Sequence, residues 1–514
     1  MTAMREAIKL KDKINTLLDQ RRYEDALQEL DTQTEAFIGN KNDNLFLLAE
    51  IAGSYITIGS ESYNISAVNK GLSIFQDNRE NLKTAVTEDS IDYCLGNGFH
   101  AIYKIRIQET DNFFPNPENV KDSLFDAKQS YLKAFKKINL DDLNDYSIQV
   151  LTNLGNNLNH SGRIVEALQL FDMVLNHNPT FPQAVVSKAD GLRYMLQTTN
   201  CPITISLFAE IYRLFNIASE QNIDLEEIKR TVELGKKKSA EFLISNDIKL
   251  DTLEKEFQLN IKEYQNHPEN LKFFLDNYLS LSEHSLYCKC NGAKIDDLAI
   301  GFPGFVTTDK KLIQLELLNN RIKSEFSLAR QLYFDFSNQN QNDNIHYENL
   351  VNGIENGIKF EQLRTSFRQC FGILDKIAEG LCYLLELEIK EGENIYFESF
   401  WNPNKNTERW GRINNFRNIH LTALYSIACD LNKKNGEFGF YKQWRNRIEH
   451  GLFSLTNSDY IDKNWENDQF SIKTTTENFE SKTKHLLQLT RASIFSFVFC
   501  VRHELITRKE NGSS

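Results

Sequence analysis

Residues 148–181, SIQVLTNLGNNLNHSGRIVEALQLFDMVLNHNPT, decide the fold of the first half of the chain. Apolar and small residues recur at intervals of three and four on both sides of the polar break HSGR, residues 160–163, and Pro179 follows the second run. This spacing is typical of an amphipathic helix with one buried face. The stretch therefore predicts a helical hairpin of about 34 residues.

The hairpin resembles a tetratricopeptide (TPR) repeat. Five residues match the family's pattern at the right mutual spacing: Leu154, Gly155, Ala167, Phe171 and Pro179. Leu151 stands where the family usually has Trp. The resemblance implies a stack of helical hairpins with a concave surface that binds a protein or peptide partner.

Weaker copies of the same pattern surround this hairpin, at residues 8–38, 46–76, 92–136 and 182–220. The copy at 92–136 carries an insertion between its two helices. Because a lone repeat cannot bury its apolar face, at least three repeats should stack. We therefore assign residues 1–240 to a TPR-like helical solenoid, with an irregular helical bundle as the alternative.

The rest of the chain is also predicted to be helical. Residues 241–310 read as a helical extension followed by an irregular connecting segment, with room for a short strand or hairpin after residue 283. Residues 311–514 contain helical patterns separated by loops. These helices are predicted at 311–337, 358–391, 416–434, 438–455 and 476–509. The predicted fold class is therefore all-α, a solenoid followed by a helical bundle.

The segment YKQWRNRIEHGLF, residues 441–453, holds the strongest candidates for chemistry. On a helix, Asn446 and His450 share a face, and Arg445 lies about 100° away from Asn446. Arg445 and Glu449 are also placed to form an ion pair. The alternative is an ordinary surface helix with a terminal histidine, which the helix dipole favours.

RNRIEH resembles the R-N-x-x-x-H motif of HEPN domains, the higher eukaryotes and prokaryotes nucleotide-binding fold. Long helices before and after the motif agree with the helical bundle of that family. The resemblance implies a metal-independent endoribonuclease with Arg445, Asn446 and His450 as catalytic residues. It also implies a composite site at a homodimer interface, since RNA cleavage through the 2′-OH needs two proton transfers and one chain offers one such histidine.

The residue types fit that chemistry. Histidine exchanges protons near neutral pH, and the planar guanidinium of arginine binds phosphate oxygens with a fixed charge. Further substrate-binding candidates are Arg447, Arg368 and Arg364. Trp401, Trp410 and Phe416 are candidates for base stacking, although packing of their loop onto the bundle is the favoured interpretation.

His284, Cys288 and Cys290 suggest a zinc site, but no second ligand pair follows at a suitable spacing. A closed structural zinc site needs four ligands. We therefore expect a structural turn here, with no metal and no cofactor.

The motifs that the sequence lacks exclude several classes of enzyme. The chain lacks G-x-x-x-x-G-K-[ST], H-E-x-x-H and G-x-S-x-G motifs, so it shows no signature of a P-loop NTPase, a zinc peptidase of that type or a serine hydrolase with a nucleophile elbow. The formal net charge is −12, yet residues 401–514 hold 17 Lys+Arg against 12 Asp+Glu, a net of +5.

The eight cysteines show no disulfide framework, and the longest apolar run is too short for a membrane span. We expect a cytoplasmic protein that does not bind membranes.

The TPR-like and HEPN-like patterns together resemble prokaryotic proteins of phage defence. The predicted function is an endoribonuclease that the TPR-like array regulates, in antiphage defence or as a toxin. The alternative is a non-catalytic scaffold or sensor whose HEPN-like domain serves dimerisation or RNA binding.

Overall fold

The computed structural model describes residues 2–39, 44–108, 122–199, 203–221, 223, 226–301, 309–338, 353–389, 391–402, 407–457 and 470–512. These residues are mostly helical, which confirms the predicted all-α class. The chain divides into two compact units, Met1–Ser161 and Gly162–Ser514. The division falls inside the HSGR turn, while the domain bounds 1–240, 241–310 and 311–514 stay predictions.

The first unit is built from consecutive helices, each packed on a near neighbour in the sequence. They are α1 (Thr2–Asp19), α2 (Tyr23–Gly39), α3 (Leu45–Glu61), α4 (Ile65–Asp77), α5 (Arg79–Leu82), α6 (Glu88–Gln108), α7 (Ser123–Phe135) and α8 (Asp145–His160). Asparagine side chains cap three of them, because Asn44, Asn64 and Asn144 each accept a hydrogen bond from a backbone N–H of the first turn.

Small residues let these helices cross closely. A Cβ at Gly71 of α4 would lie 2.5 Å from the carbonyl oxygen of Ala52 on α3. A Cβ at Gly96 of α6 would lie 2.6 Å from the Tyr131 ring on α7. Glycine at these two positions therefore allows the close approach of neighbouring helices, while the assignment of TPR-like repeats stays a prediction.

The second unit contains thirteen further helices among the described residues. They are α9 (Ile164–His177), α10 (Pro182–Thr199), α11 (Thr204–Ser219), α12 (Glu226–Ser245), α13 (Leu253–Gln265), α14 (Glu269–Asp276), α15 (Lys310–Asn338), α16 (Ile358–Leu384), α17 (Phe397–Phe400), α18 (Thr407–Asn415), α19 (Ile419–Asp430), α20 (Phe440–His450) and α21 (Thr476–Gly512). Short 3₁₀ turns lie at Leu250–Thr252 and Glu283–Leu286.

Helix α21 forms the centre of the second unit. It packs against α15, α16 and α19, and also against α9 and α10. The apolar run at residues 494–501 is buried along this helix. Within the described part of the chain, no helix is long and apolar enough to cross a membrane.

Helices α9 and α10 are tied to α19 by buried polar contacts. Arg163, just before α9, pairs with Asp430 of α19 and donates two hydrogen bonds to Glu166. Gly162 has a φ of +79°, and a Cβ there would lie 2.3 Å from the carbonyl oxygen of Ile419. The later helices of the predicted repeat array therefore share one compact unit with the helices of the predicted bundle.

A small sheet lies beside α20. Strand β1 (Ile354–Glu355) pairs antiparallel with β2 (Leu452–Thr456), and β2 pairs parallel with β3 (Ser471–Thr475). The prediction of one helix over 438–455 was wrong, because α20 ends at His450 and Gly451 leads directly into β2. The interval between the predicted helices 358–391 and 416–434, expected to be a loop, also contains two short helices, α17 and α18.

Candidate active site

Helix α20 carries the RNRIEH motif and is held by an aromatic cluster on one face. Trp444 packs against Phe453 of β2 and Phe479 of α21, with ring centroids 5.4 and 5.7 Å apart. Phe367 of α16 lies 5.7 Å from the ring of Tyr441. Each such pair contributes about 0.5–1.5 kcal/mol beyond the burial of its area. The cluster thus fixes α20 between α16, α21 and the sheet.

A hydrogen bond completes this attachment. The buried Tyr441 hydroxyl lies 2.9 Å from Nδ1 of His485 on α21, and the His485 ring also packs on Phe438 at 4.4 Å. The apolar face of α20 is therefore committed to the core, which leaves the polar motif residues on its remaining surface.

The predicted catalytic residues lie on that remaining surface. His450 is exposed, while Arg445, Asn446 and Arg447 are half-buried. No described residue forms a side-chain hydrogen bond or salt bridge with any of these four side chains. The C-terminal half of α20 therefore presents two guanidinium groups, an amide and an imidazole that are available to a ligand.

Asp375 on α16 is a carboxyl group on which the charge of Arg445 acts. Burial raises the pKa of Asp375, while the nearby Arg445 charge acts in the opposite direction. Asp375 Oδ1 also accepts a hydrogen bond of 2.8 Å from the backbone N–H of Phe397, at the start of α17. A half-buried carboxylate thus faces the motif arginine, although the sequence pattern gave no reason to select it among many acidic residues.

The other basic candidates have different surroundings. Arg368 lies 3.7 Å from Glu449, so Glu449 pairs across to α16 and not with Arg445 as the spacing suggested. Arg364 is buried and pairs with Glu361, so its surroundings favour a structural role, and its predicted contact with substrate stays a prediction. Arg368 of α16 therefore lies next to the motif helix, where it contacts Glu449 of α20.

The aromatic candidates act mainly in packing. Trp401 is buried, and its ring lies 4.6 Å from Phe400 and 5.6 Å from Tyr425. Trp410 lies 5.3 Å from Tyr425, and Phe416 is half-buried. Packing of this segment onto the bundle, the favoured interpretation of the sequence, agrees with these contacts.

The end of α20 is set by Gly451. Its N–H donates to the Arg447 carbonyl at 3.0 Å, and a Cβ at this position would lie 2.7 Å from the Phe470 carbonyl oxygen. That same carbonyl accepts the Leu452 N–H at 2.9 Å, where the sheet begins. Glycine at residue 451 therefore lets the helix end directly at the sheet, with His450 at the helix C-terminus, where the dipole favours a cation.

A possible metal-binding cluster lies elsewhere in the second unit. Among the described residues, His284, Cys288 and Cys290 are the group whose ligand atoms come within 4.8 Å of one another. No metal ligand set includes the described residues of the motif helix.

The part of the chain that contains the motif matches a known protein family. Residues 306–504 match the family described as LA2681-like HEPN. The predicted HEPN-like domain in the C-terminal part of the chain is therefore confirmed. No curated protein matches the chain significantly. HEPN domains are often ribonucleases, and they commonly dimerise and bind RNA.

Proposed function

We propose that the C-terminal domain is a metal-independent endoribonuclease with Arg445, Asn446 and His450 as its catalytic residues. The observation that carries this proposal is the C-terminal half of α20, where these side chains form no side-chain hydrogen bond or salt bridge among the described residues. Such an arrangement contrasts with the buried, paired arginines elsewhere in the same unit. The family match over residues 306–504 supports it independently.

Each residue has a defined role in this proposal. His450 takes the proton from the RNA 2′-OH or gives one to the leaving 5′-oxygen, because imidazole works near neutral pH. Arg445 stabilises the negative charge that grows on the phosphorane. Asn446 orients the imidazole or contacts phosphate. Arg447, within the motif, and Arg368, beside it on α16, bind the RNA backbone.

The site is completed by a second copy of the chain. Two proton transfers need two acid–base groups, and each chain supplies one His450. A twofold axis beside α20 would bring two copies of the motif around one cleft. The requirement for a 2′-OH then makes the enzyme specific for RNA.

The N-terminal helices would serve as the regulatory part. We assign residues 1–240 to a TPR-like array that binds a protein or peptide partner. The contacts of Arg163 and Gly162 with α19 give binding on α9 and α10 a physical connection to the nuclease helices. Control of this kind suits an antiphage or toxin role, a setting that rests on the resemblance of the TPR-like and HEPN-like combination.

The test is RNA cleavage in EDTA by the full-length chain, with the ends of the fragments mapped. We expect fragments with 2′,3′-cyclic phosphate and 5′-OH ends, and none from His450→Ala. His177→Ala is the matched control, because His177 is also an exposed histidine in the last residue of a helix. Full cleavage by purified His450→Ala would refute the proposed site.

The dimer is tested by mixing native protein with the His450→Ala variant before assay. If both histidines are needed, activity falls with the square of the native fraction, since mixed dimers are inactive. A linear fall would mean that each chain acts alone. RNA binding without cleavage by the native protein, at all conditions, would favour the non-catalytic scaffold or sensor.

A further inference from the structure

The segment between α14 and α15 contains a cluster that the proposed RNA chemistry does not use. The thiols of Cys288 and Cys290 lie 2.8 Å apart, and His284 Nδ1 lies 3.9 Å from the Cys290 sulfur. All three ligand atoms fall within 4.8 Å of one another. From these contacts we propose that His284, Cys288 and Cys290 bind a Zn²⁺ ion, with the fourth coordination position open to water.

The backbone of the segment already holds the three side chains together. The Cys288 N–H donates to the His284 carbonyl at 2.9 Å, and the Ala293 N–H donates to the Cys290 carbonyl at 3.0 Å. A Cβ at Gly292 would lie 3.0 Å from the His284 ring, so glycine allows the ring to sit against this turn. Little chain entropy remains to be lost when an ion binds.

Contacts outside the cluster anchor the same turn from both sides. The Lys289 ammonium lies 2.6 Å from Asp276, at the end of α14. The Asn291 N–H donates to Glu263 of α13 at 2.8 Å. The three ligands therefore sit on a turn that is fixed to two helices, which distinguishes them from cysteines that meet by chance.

The donor set selects the class of metal. Two sulfurs and one imidazole suit zinc, whereas magnesium and calcium prefer oxygen ligands. At zinc–sulfur distances of about 2.3 Å, two sulfurs of a tetrahedral site lie roughly 3.8 Å apart. The observed pair must therefore open by about 1 Å, a shift within reach of the side-chain rotamers.

The neighbouring donors also suit a metal ion. The Cys288 thiol donates a hydrogen bond to the Cys290 sulfur at 2.8 Å, and thiolate is the form of cysteine that binds metal. The Tyr287 hydroxyl lies 2.9 Å from His284 Nδ1, so the ion either replaces it there or binds Nε2.

The site has a consequence for the fold because its segment fastens α21. Arg491 donates to the Ser280 carbonyl at 2.7 Å and to the Ser285 hydroxyl at 2.9 Å. Arg502 lies 2.6 Å from Glu283. An ion that ties His284 to Cys290 would stabilise the segment that holds these arginines, and through it the second unit.

The experiment uses reduced full-length protein, stripped of metal and titrated with Zn²⁺ against a chelating dye. We expect one equivalent to bind per chain and to raise the unfolding temperature. Co²⁺ in its place should give the absorption bands of a thiolate-bound tetrahedral ion. Cys288→Ser, Cys290→Ser and His284→Gln should each weaken binding at least tenfold, whereas Cys429→Ser, at another half-buried thiol of the same unit, should not.

Two results would overturn the site. One is the absence of saturable Zn²⁺ binding to the reduced native chain. The other is equal binding by native protein and the Cys288→Ser/Cys290→Ser variant. Recovery of a Cys288–Cys290 disulfide in air, with no Zn²⁺ binding after reduction, would assign the pair to redox chemistry instead. Because His284→Gln keeps both thiols, it separates loss of a ligand from loss of the fold. None of these readouts depends on RNA cleavage.

Discussion

The second unit contains two kinds of arginine, and they differ in what surrounds them. Arg163, Arg330 and Arg491 are buried, and each donates at least two hydrogen bonds to carboxylates, hydroxyls or backbone carbonyls. Arg445 and Arg447 lie half-exposed on the C-terminal half of α20, and neither side chain forms a hydrogen bond or salt bridge among the described residues.

The difference shows how one residue type serves stability in one region and ligand binding in another. A buried guanidinium is stable only when partners replace the water it loses. A half-exposed guanidinium keeps water as its partner and can exchange that water for phosphate oxygens. The buried group should therefore affect folding, and the exposed group should affect only chemistry.

The largest expected effect is a loss of stability when one of the buried, hydrogen-bonded arginines is removed. Arg163→Met leaves Asp430 buried without its cation, so the free energy of unfolding should fall by about 3–5 kcal/mol. Urea unfolding of the full chain measures this. Arg193→Met is the control, because the Arg193–Asp190 pair lies at the surface and is worth about 0–1 kcal/mol. Equal losses in the two variants would contradict the distinction, whereas Arg163→Met/Asp430→Leu should recover most of the loss.

Substitution of a half-exposed arginine should instead lower the cleavage rate and leave stability almost unchanged. If the proposed nuclease is correct, Arg445→Gln should lower the cleavage rate by about 10²–10³, the usual cost of removing one charge-stabilising donor. The free energy of unfolding should change by no more than about 0.5 kcal/mol. Arg417→Gln, an exposed arginine before α19, should leave both quantities unchanged. A large loss of stability in Arg445→Gln would assign this arginine to the structural group.

A buried histidine gives a smaller, pH-dependent effect. Burial lowers the pKa of His420 to about 3. Between that value and an unfolded pKa of about 6.5, the unfolded chain binds a proton that the folded chain does not. Stability should therefore fall as the pH falls through this window, by at most about 1.4 kcal/mol per pH unit from this group.

The measurement compares unfolding from pH 7 to pH 4.5 for native protein and His420→Gln. The amide keeps a donor for the Thr198 carbonyl, which His420 Nε2 contacts at 3.3 Å. The slope should be shallower in the variant, while His177→Gln, at an exposed site, should leave it unchanged. Identical slopes for His420→Gln and native protein would contradict the assignment.

The smallest effect is expected at the Arg368–Glu449 pair. Its side chains are about one-third exposed and 3.7 Å apart, so Glu449→Gln should cost no more than about 1 kcal/mol. Arg368→Gln should have the same small effect on stability but should weaken RNA binding if Arg368 contacts the backbone. Binding measured at two salt concentrations separates these effects, because loss of a phosphate contact reduces the salt dependence.

The helices of this fold were predictable because their signals are local. The helices predicted at 311–337 and 476–509 appear as α15 and α21, with ends shifted by a few residues. The sheet was missed for a different reason. Strand β1 has two residues, and β2 follows the motif helix after a single glycine, so neither produces a long alternating pattern.

The residues of the candidate site also differ in whether the sequence alone could predict them. Arg445, Asn446 and His450 were selected from one short segment, and all three lie on the C-terminal half of one helix. Asp375 lies 70 residues earlier in the chain, and its proximity to Arg445 depends on the packing of α16 against α20. The same holds for His284, Cys288 and Cys290, whose spacing suggested a metal but whose mutual distances came only with the folded turn.

The position of α21 in the chain affects how the protein matures on the ribosome. This helix supplies the centre of the second unit, yet it is synthesised after every other described helix. At about 5–20 residues per second, the earlier helices of this unit wait many seconds for their central partner. During that time α16, α19 and the motif helix lack the surface against which they pack. The motif helix is therefore not packed in its final position while the chain is being synthesised. Any nuclease activity begins only after α21 has been made.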